Sequence, residues 1–153
     1  MVDAYRPAVD NAAKRPRGPA SRGGPETLVV VDDDDCVRKL LAVGLATYGY
    51  TVLSASTGDE ALRAVELHPG LISLLLTDVM LPGMNGRTLA KILCKRSPSL
   101  RVLFTSGYSE VDAQLNLRSP TTGFVQKPCT LDGLERKVRS LLDASVAGIS
   151  PDA

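Results

Sequence analysis

Five short runs of aliphatic and β-branched residues recur along the chain, each followed by a stretch with helical spacing, and this alternation constrains the fold more than any other feature. The runs lie at 27–31, 51–55, 72–77, 101–105 and 123–126. Most are continuously apolar, as strands covered on both faces must be. Between them, Cys36, Val37, Leu40, Leu41, Leu45 and Tyr48 share one helical stripe, and Ala61, Leu62, Val65 and Glu66 continue a second helix opened by Thr57. A third helix is expected at about 86–95, ending before Pro98, and a fourth at 109–117. The last, opened by Thr130, turns Leu131, Leu134, Val138, Leu141 and Leu142 inward. Strands alternating with helices require parallel pairing and right-handed crossovers, hence an α/β, doubly wound sheet with helices on both faces.

The flanks lack this pattern. Residues 1–25 contain Pro7, Pro16, Pro19 and Pro25 with three glycines, and carry five basic against two acidic side chains, so a disordered basic leader is expected there. The domain proper is expected at 26–143, with a flexible tail at 144–153 broken by Gly148 and Pro151. No apolar run approaches a membrane span, and no signal core follows the N-terminal charges, so a cytoplasmic location is expected. The body of the chain is slightly acidic, which argues against nucleic-acid binding. Cys36, Cys94 and Cys129 form no CxxC pair and are expected to stay reduced.

Ligands of open parallel sheets bind beyond the carboxyl ends of the strands. Those positions hold Asp32 to Asp35 after the first strand, Asp78 after the third, Ser106 after the fourth and Lys127 after the fifth. Clustered carboxylates raise one another's pKa unless a cation joins them, and a hard ion such as Mg²⁺, with Mn²⁺ as a substitute, suits oxygen donors. With such an ion present, Asp78 can attack an incoming phosphoryl group while Lys127 and the Ser106 hydroxyl receive its oxygens. One acid of the 32–35 run, Asp34 or Asp35, is needed to cap the first helix, but capping does not explain four.

These residues resemble the receiver domain of bacterial two-component response regulators. The likeness runs through Leu28-Val29-Val30-Val31-Asp32-Asp33, Leu76-Thr77-Asp78-Val79-Met80-Leu81-Pro82-Gly83-Met84-Asn85-Gly86, Val102-Leu103-Phe104-Thr105-Ser106-Gly107-Tyr108 and Phe124-Val125-Gln126-Lys127-Pro128. It implies a flavodoxin-like five-stranded parallel sheet in the order 2-1-3-4-5. It also implies Asp78 as phosphoacceptor, Asp32, Asp33, Asp78 and the Met80 backbone carbonyl as metal ligands, and Lys127 as a phosphoryl-binding group joined to Pro128 by a cis bond. Ser106 takes the switch hydroxyl position and Phe124 the switch aromatic position. The implied partners are a sensor histidine kinase or a histidine phosphotransfer protein, a downstream protein target, and a second copy in a phosphorylation-linked homodimer. Two positions depart from the family pattern: Cys129 stands where Phe usually follows Lys-Pro, and Phe124 stands where Tyr is common.

Such a domain is a phosphoacceptor that assists its own reaction rather than an enzyme. An aspartyl-nucleophile phosphatase resembling the haloacid dehalogenases would place a second Asp two residues after the nucleophile, where Met80 stands. A dinucleotide-binding domain would need glycines where Asp32 to Asp35 stand. His68, the sole histidine, precedes Pro69-Gly70 at a helix end and reads as a surface residue. The remaining alternatives are a non-phosphorylated interaction module and a receiver segment of a larger hybrid kinase. The ten residues after Asp143 contain no helix-turn-helix, so output is expected through protein contacts.

Overall fold

The computed structural model describes residues 3–5, 24–107, 121–127 and 129–148. Along the chain the elements are β1 (Asp3–Tyr5), β2 (Thr27–Val31), α1 (Asp35–Ala46), β3 (Thr51–Ala55), α2 (Gly58–Leu67), β4 (Leu74–Asp78), α3 (Gly86–Arg96), β5 (Arg101–Ser106), β6 (Thr122–Gln126) and α4 (Leu131–Gly148). They build a six-stranded sheet in the order β1-β3-β2-β4-β5-β6. The strands β2 to β6 are mutually parallel, and among themselves they follow the expected order 2-1-3-4-5. The helix expected at 109–117 lies outside the described residues, as do Tyr108 and Pro128.

Two boundaries differ from the sequence expectation. Asp3–Tyr5, assigned above to a disordered leader, pairs antiparallel with β3 in the register Asp3↔Ser54, Ala4↔Leu53, Tyr5↔Val52. The outer edge of β3 offers unpaired backbone groups to any extended segment, and three residues suffice to take them up. At the other end α4 continues to Gly148, through residues assigned to a flexible tail. Ala144 and Ala147 favour helix strongly.

Successive strand residues face opposite sides, and both sides are buried. Val29, Val31, Leu53, Leu75, Val102 and Phe104 pack toward α2 and α3, against Ala61, Ala64, Leu89 and Leu93. Leu28, Val30, Val52, Leu74, Leu76 and Leu103 pack toward α1 and α4, against Leu45, Leu134 and Val138. This two-sided cover is why the runs read as continuous rather than alternating. Of the stripe expected on α1, Leu45 is buried and Leu41 and Tyr48 pack against the core, but Cys36 and Leu40 are exposed, and the small residues Ala42, Gly44 and Ala46 are buried instead. Small side chains set that face, because a Cβ at Gly44 would stand 2.5 Å from the Leu131 side chain of α4. Among the described residues no helix is long and apolar enough to cross a membrane.

Each described helix begins directly after a strand-end loop, fixed by a side-chain cap worth about 1 kcal/mol. Asp34 Oδ1 accepts from the Cys36 and Val37 amides, Thr57 Oγ1 from Glu60, Asn85 Oδ1 from Thr88, and Thr130 Oγ1 from Gly133. These caps fix where the loops end and thus where their polar side chains stand.

At the opposite end of the sheet, two fully buried polar groups from distant parts of the chain meet: the Tyr50 hydroxyl donates to Glu135 Oε2 at 3.0 Å. Beside them Arg139 donates two hydrogen bonds to Glu26, at 3.1 and 2.8 Å, and a third interaction ties it to Asp143. Burial, and then the Glu135 charge, hold the Tyr50 hydroxyl well above the ordinary tyrosine range. The folded state therefore favours the neutral phenol. Its contribution is complete below about pH 10, where an unfolded tyrosine titrates, and is lost as pH rises further. Tyr50→Phe should cost about 2 kcal/mol at neutral pH, the loss of a buried hydrogen bond to a carboxylate. It should also flatten the alkaline fall of urea-unfolding stability, and a variant as stable as wild type would show that the bond contributes nothing.

Candidate functional site

The carboxyl ends of β2, β4, β5 and β6 bring the polar residues singled out in the sequence to one edge of the sheet. Asp32, only 1% exposed, has both carboxylate oxygens engaged: Oδ1 accepts from the Asp34 amide at 2.9 Å and Oδ2 from Lys127 Nζ at 2.9 Å. Lys127 Nζ also donates to Asp78 Oδ2 at 3.0 Å, and the Met80 amide donates to Asp78 Oδ1 at 3.1 Å. One ammonium thus bridges the ends of β2 and β4 from the end of β6. Burial alone would depress the lysine, but hydrogen bonds from it to Asp32 and Asp78, with their charges, outweigh that and raise its pKa.

Asp33 is exposed at the rim. Carboxylate oxygens of Asp32, Asp33 and Asp78 lie within 4.8 Å of one another. Three hard oxygen donors at that spacing fit a divalent cation that keeps part of its water shell. Arg38 fixes the loop that carries two of them, donating to the Asp32 carbonyl at 2.9 Å and to Asp35 Oδ1 at 2.5 Å. Among the described residues no signal in the sequence had pointed to this arginine, although its position one turn into α1 places it above the acidic run.

Ser106 ends β5 with 1% of its surface exposed, and its carbonyl accepts from the Lys127 amide at 2.8 Å. Hydroxyl and ammonium are therefore carried by adjoining strands. Phe124 is half-buried, stands in register with Phe104 across β5 and β6, and packs against the core on the α2–α3 side. These are the chain's only two phenylalanines. Met80 is 57% exposed on the loop after Asp78, with its amide already turned to the Asp78 carboxylate. Cys129 carries a free thiol, as do Cys36 and Cys94; the residue is exposed overall, but partial burial of its sulfur pushes the thiol up against the opposing pull of Lys127.

The loop between Asp78 and α3 is held by two glycines. Gly83 adopts φ +78°, a region that side chains resist. Gly86 opens α3, and its amide donates to the Val79 carbonyl at 2.9 Å. A Cβ on Gly86 would lie 2.2 Å from the Asp78 carbonyl oxygen, so only glycine lets the helix start so close to this residue.

Known proteins share this arrangement. Residues 28–139 match the model of the response regulator receiver domain. The chain is 36% identical over 121 residues to the sensor kinase CckA of Brucella abortus, covering 78% of this chain and 13% of that protein. It is also 36% identical over 118 residues to the DNA-binding response regulator MtrA of Mycolicibacterium smegmatis, covering 76% of this chain and 50% of that one. The chain thus spans half or less of these curated relatives. Among solved structures, the receiver domain of the hybrid histidine kinase CckA superposes with a TM-score of 0.65 at 34% identity, covering 76% of this chain and 98% of that one. A CheY-like receiver domain protein from Methanospirillum hungatei JF-1 gives 0.71 at 25% identity, covering 82% and 99%. With the five-strand order, the acidic cluster and the match over most of its length in agreement, the chain belongs to the response regulator receiver domain family.

Proposed function

We propose that this receiver domain accepts a phosphoryl group on Asp78 from the phosphohistidine of a sensor histidine kinase or a histidine phosphotransfer protein. The observation that carries the reading is the single ammonium of Lys127 touching both Asp32 and Asp78 beside the exposed Asp33. A carboxylate oxygen of Asp78 attacks phosphorus, a P–O bond forms as the P–N bond breaks, and the imidazole leaves with a proton from solvent. A divalent cation, Mg²⁺ or Mn²⁺, held by Asp32, Asp33, Asp78 and the Met80 backbone carbonyl, would offset the charge of the phosphoryl oxygens.

Lys127, already in contact with Asp78, meets a further phosphoryl oxygen, and the Ser106 hydroxyl another. When Ser106 moves toward the phosphoryl group, the Phe124 ring takes the space it leaves and the protein-binding surface around β6 changes. The signal then passes to a protein target, or the phosphoryl group to a phosphotransfer histidine. A cytoplasmic setting and a phosphorylation-linked homodimer complete the reading.

Intact-mass analysis after incubation with acetyl phosphate and Mg²⁺ tests it. A single phosphoryl adduct should appear, and chelation should abolish it. Asp33→Asn should raise the Mg²⁺ concentration needed for half-maximal labelling about tenfold or more, because it removes one charged oxygen donor while leaving the buried Asp32–Lys127 contact in place. Should neither an adduct nor binding of a fluoroberyllate mimic be observed, the chain would act as a non-phosphorylated interaction module.

A further inference from the structure

Asp32 and Asp33 are neighbours in sequence but stand differently: the first is buried with its polar groups engaged, the second is exposed. The Asp32 amide donates to the Ala55 carbonyl at 3.2 Å, and its carboxylate oxygens accept from the Asp34 amide and from Lys127. Its carbonyl accepts from Arg38 Nη1 at 2.9 Å. That carbonyl belongs to the peptide group joining Asp32 to Asp33. Because a peptide group is planar, holding its oxygen holds the whole plane, and with it the direction in which the chain carries Asp33 away from the end of β2.

The arginine stands where a helix alone would not place it. It is the fourth residue of α1, near the end that carries positive partial charge, and a cation there opposes the macrodipole. Its side chain is only 17% exposed, so the guanidinium has also given up much of its water. In return it reaches back over the start of the helix, with Nη1 on the Asp32 carbonyl and Nη2 on Asp35 Oδ1. A rigid, planar fork can hold both groups at once, which a single ammonium does not.

Toward a divalent cation the same side chain has two opposing effects. Its charge, beside Asp32 and Asp35, repels the ion; its grip on the 32–33 peptide presents the Asp33 carboxylate to it. We propose that Arg38 is a positioning residue for the cation, and that its hold on the loop raises the affinity of the acidic site by more than its charge lowers it. The inference rests on the reading of Asp32, Asp33 and Asp78 as metal ligands given above.

Titration of the full chain with Mn²⁺, followed by the electron paramagnetic resonance signal of the free ion, measures that affinity without any phosphoryl transfer. Arg38→Gln should raise the Kd about tenfold. Arg38→Lys keeps the charge but not the fork, and should raise it about threefold or more. In acetyl phosphate labelling, the Mg²⁺ concentration for half-maximal rate should rise by the same factors while the rate at saturating Mg²⁺ stays at the wild-type value. General loosening of the fold would not give that split. An unchanged Kd in Arg38→Gln would leave Arg38 a structural role alone, and a lower one would mean that its charge outweighs its hold on the loop. A wild-type Kd in Arg38→Lys would show that the fork is not required. Each of these results overturns the proposal, and if Arg38→Gln does not fold, Arg38→Lys decides. A wild type that binds Mn²⁺ with the expected variant effects but gains no phosphoryl adduct would refute the phosphoacceptor reading and leave this one standing.

Discussion

Asp78→Asn should carry no phosphoryl adduct after any length of incubation with acetyl phosphate and Mg²⁺, whereas the wild type gains one. The amide keeps the size of the side chain but lacks the charged oxygen that attacks phosphorus, and it withdraws one acceptor from Lys127. Asp32 cannot replace it as acceptor, since at 1% exposure, with both oxygens engaged, it has no line of approach for a donor. The fold should survive, because Asn retains a side-chain oxygen to accept from the Met80 amide. A variant that labels to the wild-type extent would place the acceptor elsewhere and remove the basis for the proposed mechanism.

The second large effect is on stability. Gly86→Ala should lower the Tm by about 10 °C, corresponding to a loss of about 3 kcal/mol. Alanine inside a helix normally gains about 1 kcal/mol over glycine, so the expected sign is opposite to that of intrinsic propensity. Contact decides the matter, because the new Cβ would stand 2.2 Å from the backbone oxygen of Asp78, and backbone cannot rotate aside. At Gly44 the nearest atoms belong to the flexible Leu131 side chain, so the same change there should cost less. Thermal unfolding of the two variants in parallel checks this, and a neutral Gly86→Ala would mean that the loop after Asp78 can shift freely. Since that loop aims the phosphoacceptor, its displacement should slow labelling as well.

Much of this architecture was legible because parallel sheets buried on both faces write themselves as unbroken apolar runs. The spans expected for β2 and β3 coincide with the observed strands, and the acids, hydroxyl and lysine at strand ends fall on one edge because that is where such sheets place polar residues. The pairing of Lys127 with Asp32 lies 95 residues apart in the chain and depends on strand order, which local periodicity does not encode. Leu40 of α1, expected to face inward, is exposed, while Ala42, on which apolar spacing is silent, is buried, because close helix packing there selects for small size rather than hydrophobicity. Glu135 carried its signal openly: it falls between Leu134 and Val138 on the inward stripe of α4, and its charge concealed a buried partner for Tyr50. The strand Asp3–Tyr5 is too short for any period to appear.

That short strand has a practical consequence for handling the protein. By occupying the outer edge of β3, Asp3–Tyr5 covers a template on which other chains could add strands. A purification tag fused ahead of Asp3 would sit at this seam, and deletion of the first five residues would strip it. The quantity most sensitive to either change is the aggregation rate at high concentration, with the domain's unfolding midpoint moving far less.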